Sequence, residues 1–114
     1  GLSLEDGCAT ITDFTAYLIA EGLKHVSKKK SITFLLCGGG RKNIYLINSI
    51  KNYLKNVNNI TVEIIDNYNL KGDYIESQAF GFLAIRSFLN LPISFSNTTG
   101  CQGFTIGGKL VENY

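Results

Sequence analysis

The order of apolar and polar positions divides the chain into five patterned segments and a tail. From Thr10 to about Val26, apolar residues recur near the helical repeat at Ile11, Phe14, Leu18 and Leu23. That spacing predicts an amphipathic helix with those four side chains on its buried face. Glu5 and Asp6 stand just before it and Lys28, Lys29 and Lys30 follow it, an order of charge that suits the helix dipole. Ser31 to Cys37 is apolar on both alternating faces, the pattern of a central strand buried in a parallel sheet. Helical spacing returns from Asn43 to about Val57 through Ile44, Ile47, Ile50, Leu54 and Val57. Asn58-Asn59 reads as a turn, and Ile60 to Ile65 as a second, β-branched strand. A helix between two strands makes a βαβ unit with an expected right-handed crossover. After a loop from Asp66 to Gly72, a third helix is predicted from about Asp73 to Leu89, with Phe80, Leu83, Ala84 and Phe88 buried and Leu91-Pro92 as its stop. Ile93 to Tyr114 is a Gly- and Thr-rich tail, with a Gly107-Gly108 turn expected between two short extended pieces.

Helix, strand, helix, strand, helix, tail is an α/β order. Two strands leave two unpaired sheet edges, and Phe34 to Leu36 would not tolerate solvent. The simplest expectation is a segment of a larger α/β domain whose other strands lie upstream. Composition narrows the function. At 114 residues and 45% apolar the chain has the material for one core, and an 18% charged fraction argues against disorder. The net charge of +2 comes from dispersed residues, nine Lys and two Arg against nine acids, so there is no electrostatic footprint for nucleic acid. No apolar stretch approaches the ~20 residues of a membrane helix, and Gly1 to Gly7 lacks the apolar run of a signal peptide. Cys8, Cys37 and Cys101 are odd in number and form no CxxC pair, which disfavours disulfides and zinc and fits a reducing, cytoplasmic compartment. His25, the sole histidine, is expected on a helix surface, and Lys28 to Lys30 as a solvated helix end.

Candidate chemistry gathers where the first strand meets the second helix. Leu35-Leu36-Cys37-Gly38-Gly39-Gly40 leads from a buried strand into a turn, and a helix opens at Asn43. Glycines at such a junction let a ligand approach the backbone, and open α/β sheets bind ligands beyond the carboxyl ends of their strands. The same residues suit a tight turn without ligand, because the spacing matches neither GxGxxG nor GxxxxGK[ST]. Arg41 and Lys42 are open between facing a nucleotide and facing water. Asp66, directly after the second strand, either caps the next turn or faces the cleft. Glu76 falls near the start of the third helix, where a carboxylate is favourable for the dipole alone, and on the rim that carries the glycines. Thr98-Thr99-Gly100 is a structural turn or a ligand loop. No Ser/His/Asp set, Cys–His spacing or carboxylate pair supplies a catalytic centre.

Four stretches together resemble the C-terminal part of the anhydro-N-acetylmuramic acid kinase family. They are Ala9-Thr10-Ile11-Thr12-Asp13-Phe14-Thr15-Ala16, Leu36-Cys37-Gly38-Gly39-Gly40-Arg41-Lys42-Asn43, the run from Asp73-Tyr74-Ile75-Glu76-Ser77-Gln78-Ala79-Phe80 to Ala84, and Thr98-Thr99-Gly100. Their order and gaps are compatible over nearly the whole chain. The resemblance implies a partial actin-like, RNase H-like domain of the actin and hexokinase ATPase superfamily, with residues 1–114 as the C-terminal segment of its second, nucleotide-facing domain. It implies an enzyme that uses ATP and Mg²⁺ to phosphorylate 1,6-anhydro-N-acetylmuramic acid, opening the anhydro ring with water, in cytoplasmic peptidoglycan recycling. It places Gly38, Gly39, Gly40 and Asn43 beside the nucleoside of ATP and turns Glu76 toward the sugar. Homodimerisation is expected from the family alone.

Several positions depart from the family pattern. Ser77 and Gly81 replace alanines, the glycine at about 1 kcal/mol of helix propensity. Asn69 stands where glycine is common, which Asn tolerates by entering the left-handed region, and Ser96-Asn97 precedes Thr98 where a proline is usual. The family's N-terminal phosphate loop and general-base aspartate have no counterpart among these residues, so no catalytic residue is assigned and no turnover by this segment alone is expected. The missing N-terminal part of the kinase is therefore the implied partner, besides ATP and the anhydro-amino sugar. The reading of another class is a non-catalytic remnant or a stand-alone nucleotide-binding module.

Overall fold

The computed structural model describes residues 1–27 and 30–112. The chain forms two compact units, residues 1–73 and residues 74–114. In the first, α1 (Leu4–Val26), β1 (Ile32–Leu36), α2 (Ile44–Leu54) and β2 (Ile60–Ile64) follow one another, with 3-10 turns at Gly39–Lys42 and Ile65–Tyr68. The second contains α3 (Ile75–Phe88) and a single-turn helix, α4 (Ser96–Thr99). The α/β class and the predicted order of elements are observed, with α4 an addition within the tail. β1 and β2 pair in parallel from Ile32↔Ile60 to Leu36↔Ile64, and α2 lies in the connection between them.

The first helix begins at Leu4 rather than at Thr10. Ser3 caps it: its Oγ accepts the Asp6 N–H at 3.0 Å and its hydroxyl donates to the Asp6 carboxylate at 2.8 Å. This exchange places Glu5 and Asp6 inside the first turn. Thr10, Thr12 and Thr15, which blur the helical signal, donate their hydroxyls to carbonyls one turn back. At the other end Asn59 Nδ2 donates to the Ser27 and Lys30 carbonyls and ties α1 to the start of β2. His25 is exposed, as expected, whereas Lys28 and Lys29 lie outside the described residues.

The buried face of α1 differs from the predicted one. Ala16 and Ala20 are fully buried, while Ile11, Phe14 and Leu18 are more than half exposed. Two positions along a helix are roughly 200° apart around it, so the alanines and the Phe14/Leu18 pair face opposite ways. The core joins Ala16 and Ala20 to Ile50, Leu54 and Val62, bordered by Leu23, Phe34, Leu36 and Val57. Ile47, Ile50 and Leu54 of α2 are buried as its spacing predicts, but Ile44 is exposed.

β1 is covered on one face only. Ile32, Phe34 and Leu36 are partly buried, whereas Thr33 and Leu35 are exposed, so the expectation of burial on both faces is not met in this chain.

No residue of α3 is buried, and Phe80 and Phe88 of its predicted core face are exposed. Asn90, in the left-handed region at φ 53°, ends this helix. The Asn90 N–H donates to the Ser87 carbonyl and the Leu91 N–H to the Arg86 carbonyl, the two bonds of a Schellman closure. The helix thus stops before Leu91-Pro92 is reached. Among the described residues of the tail the one extended pairing is an antiparallel bridge, Ser94↔Thr105, which encloses α4 rather than the Gly107-Gly108 turn. Among the described residues no helix is long and apolar enough to cross a membrane.

Candidate functional site

β1 ends at Leu36 and delivers the chain, through Cys37, to the three glycines at the carboxyl end of the sheet. Gly38 has φ 69° and ψ −168°, a conformation essentially reserved for glycine. Its N–H donates to the Gly72 carbonyl at 3.2 Å. Gly39 and Gly40 begin the 3-10 turn and have no such backbone demand. A Cβ on Gly39 would meet nothing within 4 Å, and one on Gly40 would meet only Leu46 Cδ2 at 3.8 Å, an ordinary contact. Glycine is thus required by conformation at position 38, while at 39 and 40 it leaves bare, accessible backbone.

Asn43 caps α2. Its Oδ1 accepts the Leu46 N–H at 3.0 Å, and its own N–H donates to the Gly40 carbonyl at 3.1 Å. The cap does not engage Nδ2.

Arg41 adopts neither orientation open to it in the sequence. Its side chain turns inward and is 7% exposed. Nε donates to Asp66 Oδ2 at 2.7 Å, and Nη1 donates to the Gly38 carbonyl at 2.8 Å and to Asp73 Oδ1 at 2.9 Å. Lys42, which is exposed, reaches the same Asp73 oxygen at 2.8 Å. The Gly72 N–H donates to Asp66 Oδ1 at 3.3 Å. Gly72 has to be glycine here, because a Cβ would fall on the Arg41 side chain. The charges shift one another's titration. Hydrogen bonds from Arg41, then from Lys42, hold the Asp73 carboxyl below the ordinary carboxylate range. The Arg41 bond lowers Asp66 as well, and Asp73 first, then Asp66, raises Arg41.

The structure brings Gly38, Gly39, Gly40 and Asn43 together at the end of β1. Glu76 belongs to the other unit, where it is exposed in the first turn of α3. Thr98 and Thr99 complete α4, closed by Gly100 at φ 72°, and the Thr99 hydroxyl bonds that of Ser94. Among the described residues no group of three or more His, Cys, Asp or Glu could hold a metal ion. Sequence reading missed the Arg41–Asp66–Asp73 network. A signal for part of it existed in the strand register: two residues beyond the last pair, Leu36↔Ile64, stand Gly38 and Asp66.

Comparison with known proteins identifies the family of the chain. The family model for anhydro-N-acetylmuramic acid kinase matches residues 1–113. The anhydro-N-acetylmuramic acid kinase of Pelagibacter ubique (strain HTCC1062) is 50% identical over 117 residues, which cover 100% of this chain and 31% of that protein. That of Zymomonas mobilis is 38% identical over 109 residues, covering 96% of this chain and 28% of the relative. Anhydro-N-acetylmuramic acid kinase 2 of Jannaschia sp. is 36% identical over 111 residues, again with 28% of the relative covered. The chain spans less than a third of the length of these relatives.

Proposed function

The chain belongs to the anhydro-N-acetylmuramic acid kinase family, and from that premise we propose that it is the C-terminal segment of the nucleotide-facing, actin-like domain of a cytoplasmic sugar kinase. The complete enzyme uses ATP with Mg²⁺ to phosphorylate 1,6-anhydro-N-acetylmuramic acid. Water adds to the anhydro bridge, the freed oxygen takes the phosphoryl group, and the products are N-acetylmuramic acid 6-phosphate and ADP, a step of peptidoglycan recycling.

The observation that carries this reading is the bare backbone at Gly39 and Gly40, where neither φ nor packing within the chain calls for glycine. Such an edge, at the carboxyl end of a parallel strand, suits the close approach of a flat, neutral group such as a nucleoside. Arg41 does not oppose this assignment, because its charge is directed at Asp66 and Asp73. Arg41 therefore gives the turn no grip for phosphate, and the turn serves as a wall for the nucleoside. Asn43 adds the Nδ2 donor that its capping role leaves over. Glu76 supplies a carboxylate that accepts hydroxyl hydrogens of the sugar. Among the described residues no three His, Cys, Asp or Glu side chains gather into a metal cage. Positioning of phosphate, metal and attacking water falls to the remainder of the polypeptide.

The test joins this chain with the remainder of the kinase and measures ATP affinity and sugar phosphate formation. Gly39→Val should leave the protein folded and weaken ATP binding by about tenfold or more, since branched carbons would occupy the approach. Unchanged affinity removes the glycines from the site. A folded wild-type assembly that forms no sugar phosphate favours the non-catalytic remnant or the nucleotide-binding module.

A further inference from the structure

Arg41 is the most extensively bonded side chain of the site, and nothing in the proposed reaction uses it. It contacts three separate stretches: the carbonyl of Gly38 in its own turn, Asp66 after β2, and Asp73 at the end of the following loop. Gly72 completes the arrangement. Its carbonyl receives the Gly38 N–H, its own N–H donates to Asp66, and its missing side chain makes room for the guanidinium. Both polar groups of the Gly38 backbone are thereby fixed, one through Gly72 and the other through Arg41. Gly38 is also the residue whose backbone conformation sets the direction of the bare stretch that follows.

We infer that Arg41 is a positioning residue: a buried guanidinium clamp that holds the glycine turn in its ligand-ready shape without touching the ligand. This rests on the nucleotide reading of the turn given above. The planar fork of arginine suits the task because it serves a carboxylate, a second carboxylate and a carbonyl at fixed angles. A lysine, a compact ammonium on a flexible stem, lacks the fixed, wide fork that reaches all three at once. The four charges of the cluster, Arg41 and Lys42 against Asp66 and Asp73, sum to zero. The clamp thus orders the turn without giving the rim a field that would draw phosphate.

The competing role for an arginine beside a nucleotide is direct phosphate binding, and the two roles separate by experiment. In the assembled kinase, amide hydrogen exchange and the dissociation constants of AMP, ADP and ATP are measured for wild type, Arg41→Gln and Arg41→Lys. Exchange at Gly38, Gly39, Gly40 and Gly72 is expected to accelerate by about tenfold or more in both variants, with β1 and α2 little changed. All three nucleotides should lose affinity by one common factor of about five- to twentyfold, the same with lysine as with glutamine. Losses that grow with phosphate number, rescue by lysine, or unaltered exchange at the glycines would each overturn the clamp. So would acceleration spread evenly over β1 and α2, which makes Arg41 a general stability residue. If Arg41→Gln does not fold, Asp73→Ala decides by the same readouts, because Asp73 is half exposed and its loss removes one arm of the clamp. Should the wild type bind none of the nucleotides, the nucleotide reading fails, and exchange at the glycines alone decides whether Arg41 holds the turn.

Discussion

Substituting the glycines of the turn one at a time separates what the fold needs from what a ligand needs. At Gly38, φ is 69° and ψ −168°, and a Cβ would meet no atom within 4 Å. The cost of Gly38→Ala is therefore backbone strain alone, about 1–3 kcal/mol for a non-glycine residue in this region. At Gly39 φ is not positive and the space is equally open, so Gly39→Ala carries neither strain nor clash. Reduced freedom of the unfolded chain then favours it by roughly 0.4–1 kcal/mol. Both substitutions share that gain, so, one residue apart and chemically identical, they should differ by the strain alone, about 1–3 kcal/mol in unfolding free energy. Urea unfolding followed by circular dichroism measures this as a lowered midpoint for Gly38→Ala at unchanged slope, and a midpoint for Gly39→Ala at or slightly above wild type. Equal destabilisation by both would refute the division of roles, because position 39 would then have a structural need that its geometry does not show. A Gly38→Ala as stable as Gly39→Ala would refute the strain argument directly.

Two further outcomes follow from packing and charge. Ile50 is fully buried among Ala16, Ala20, Leu54 and Val62, so Ile50→Ala should lower the stability of the first unit by about 2–5 kcal/mol in the same unfolding assay, whereas Ile44→Ala, at an exposed position of the same helix, should change it little. Asp66 and Asp73 titrate below their ordinary values in the folded chain, so in acid the unfolded state binds more protons than the native one. Their contribution is complete above roughly pH 5 and is lost as pH falls through the depressed native values, from about pH 4 downward. Comparing acid unfolding of wild type and Arg41→Gln checks this, with a shallower pH slope expected in the variant and a smaller difference at high salt.

How much of this was legible in the sequence differs by element. The βαβ order, the α2 core positions Ile47, Ile50 and Leu54, and the glycine turn followed from period and composition, because each is set by neighbours close in sequence. The left-handed conformation of Asn69, at φ 59°, agrees with the family resemblance, in which glycine is common at that position and Asn is tolerated. The start of α1 did not, although Ser3 and Asp6 stand at the spacing of a cap: the apolar repeat by which the helix was placed begins only at Ile11. Nor did the fate of Arg41, which is decided by Asp66 and Asp73, 25 and 32 residues away in the chain. A short-range reading sees a cation beside a glycine turn. The fold turns that cation inward.

The largest disagreement between pattern and structure is informative in itself. Ile11, Phe14 and Leu18 of α1, Leu35 of β1, and Phe80 and Phe88 of α3 are spaced as buried residues and stand exposed. The local signals are not faulty, because the helices and the strand they predicted are present. What differs is coverage. A face patterned for burial but open in the segment is what a sequence shaped by the packing of a larger domain should display, since natural sequences agree with their complete fold at every level. The same reasoning applies to the glycine turn. Its conformation is completed within the chain, by Gly38, Gly72 and Arg41, whereas the bare backbone of Gly39 and Gly40 has no close counterpart among the described residues. The proposed division of labour follows from that contrast: this segment shapes and holds a nucleoside wall, and the remainder of the kinase covers its apolar faces and moves the phosphate.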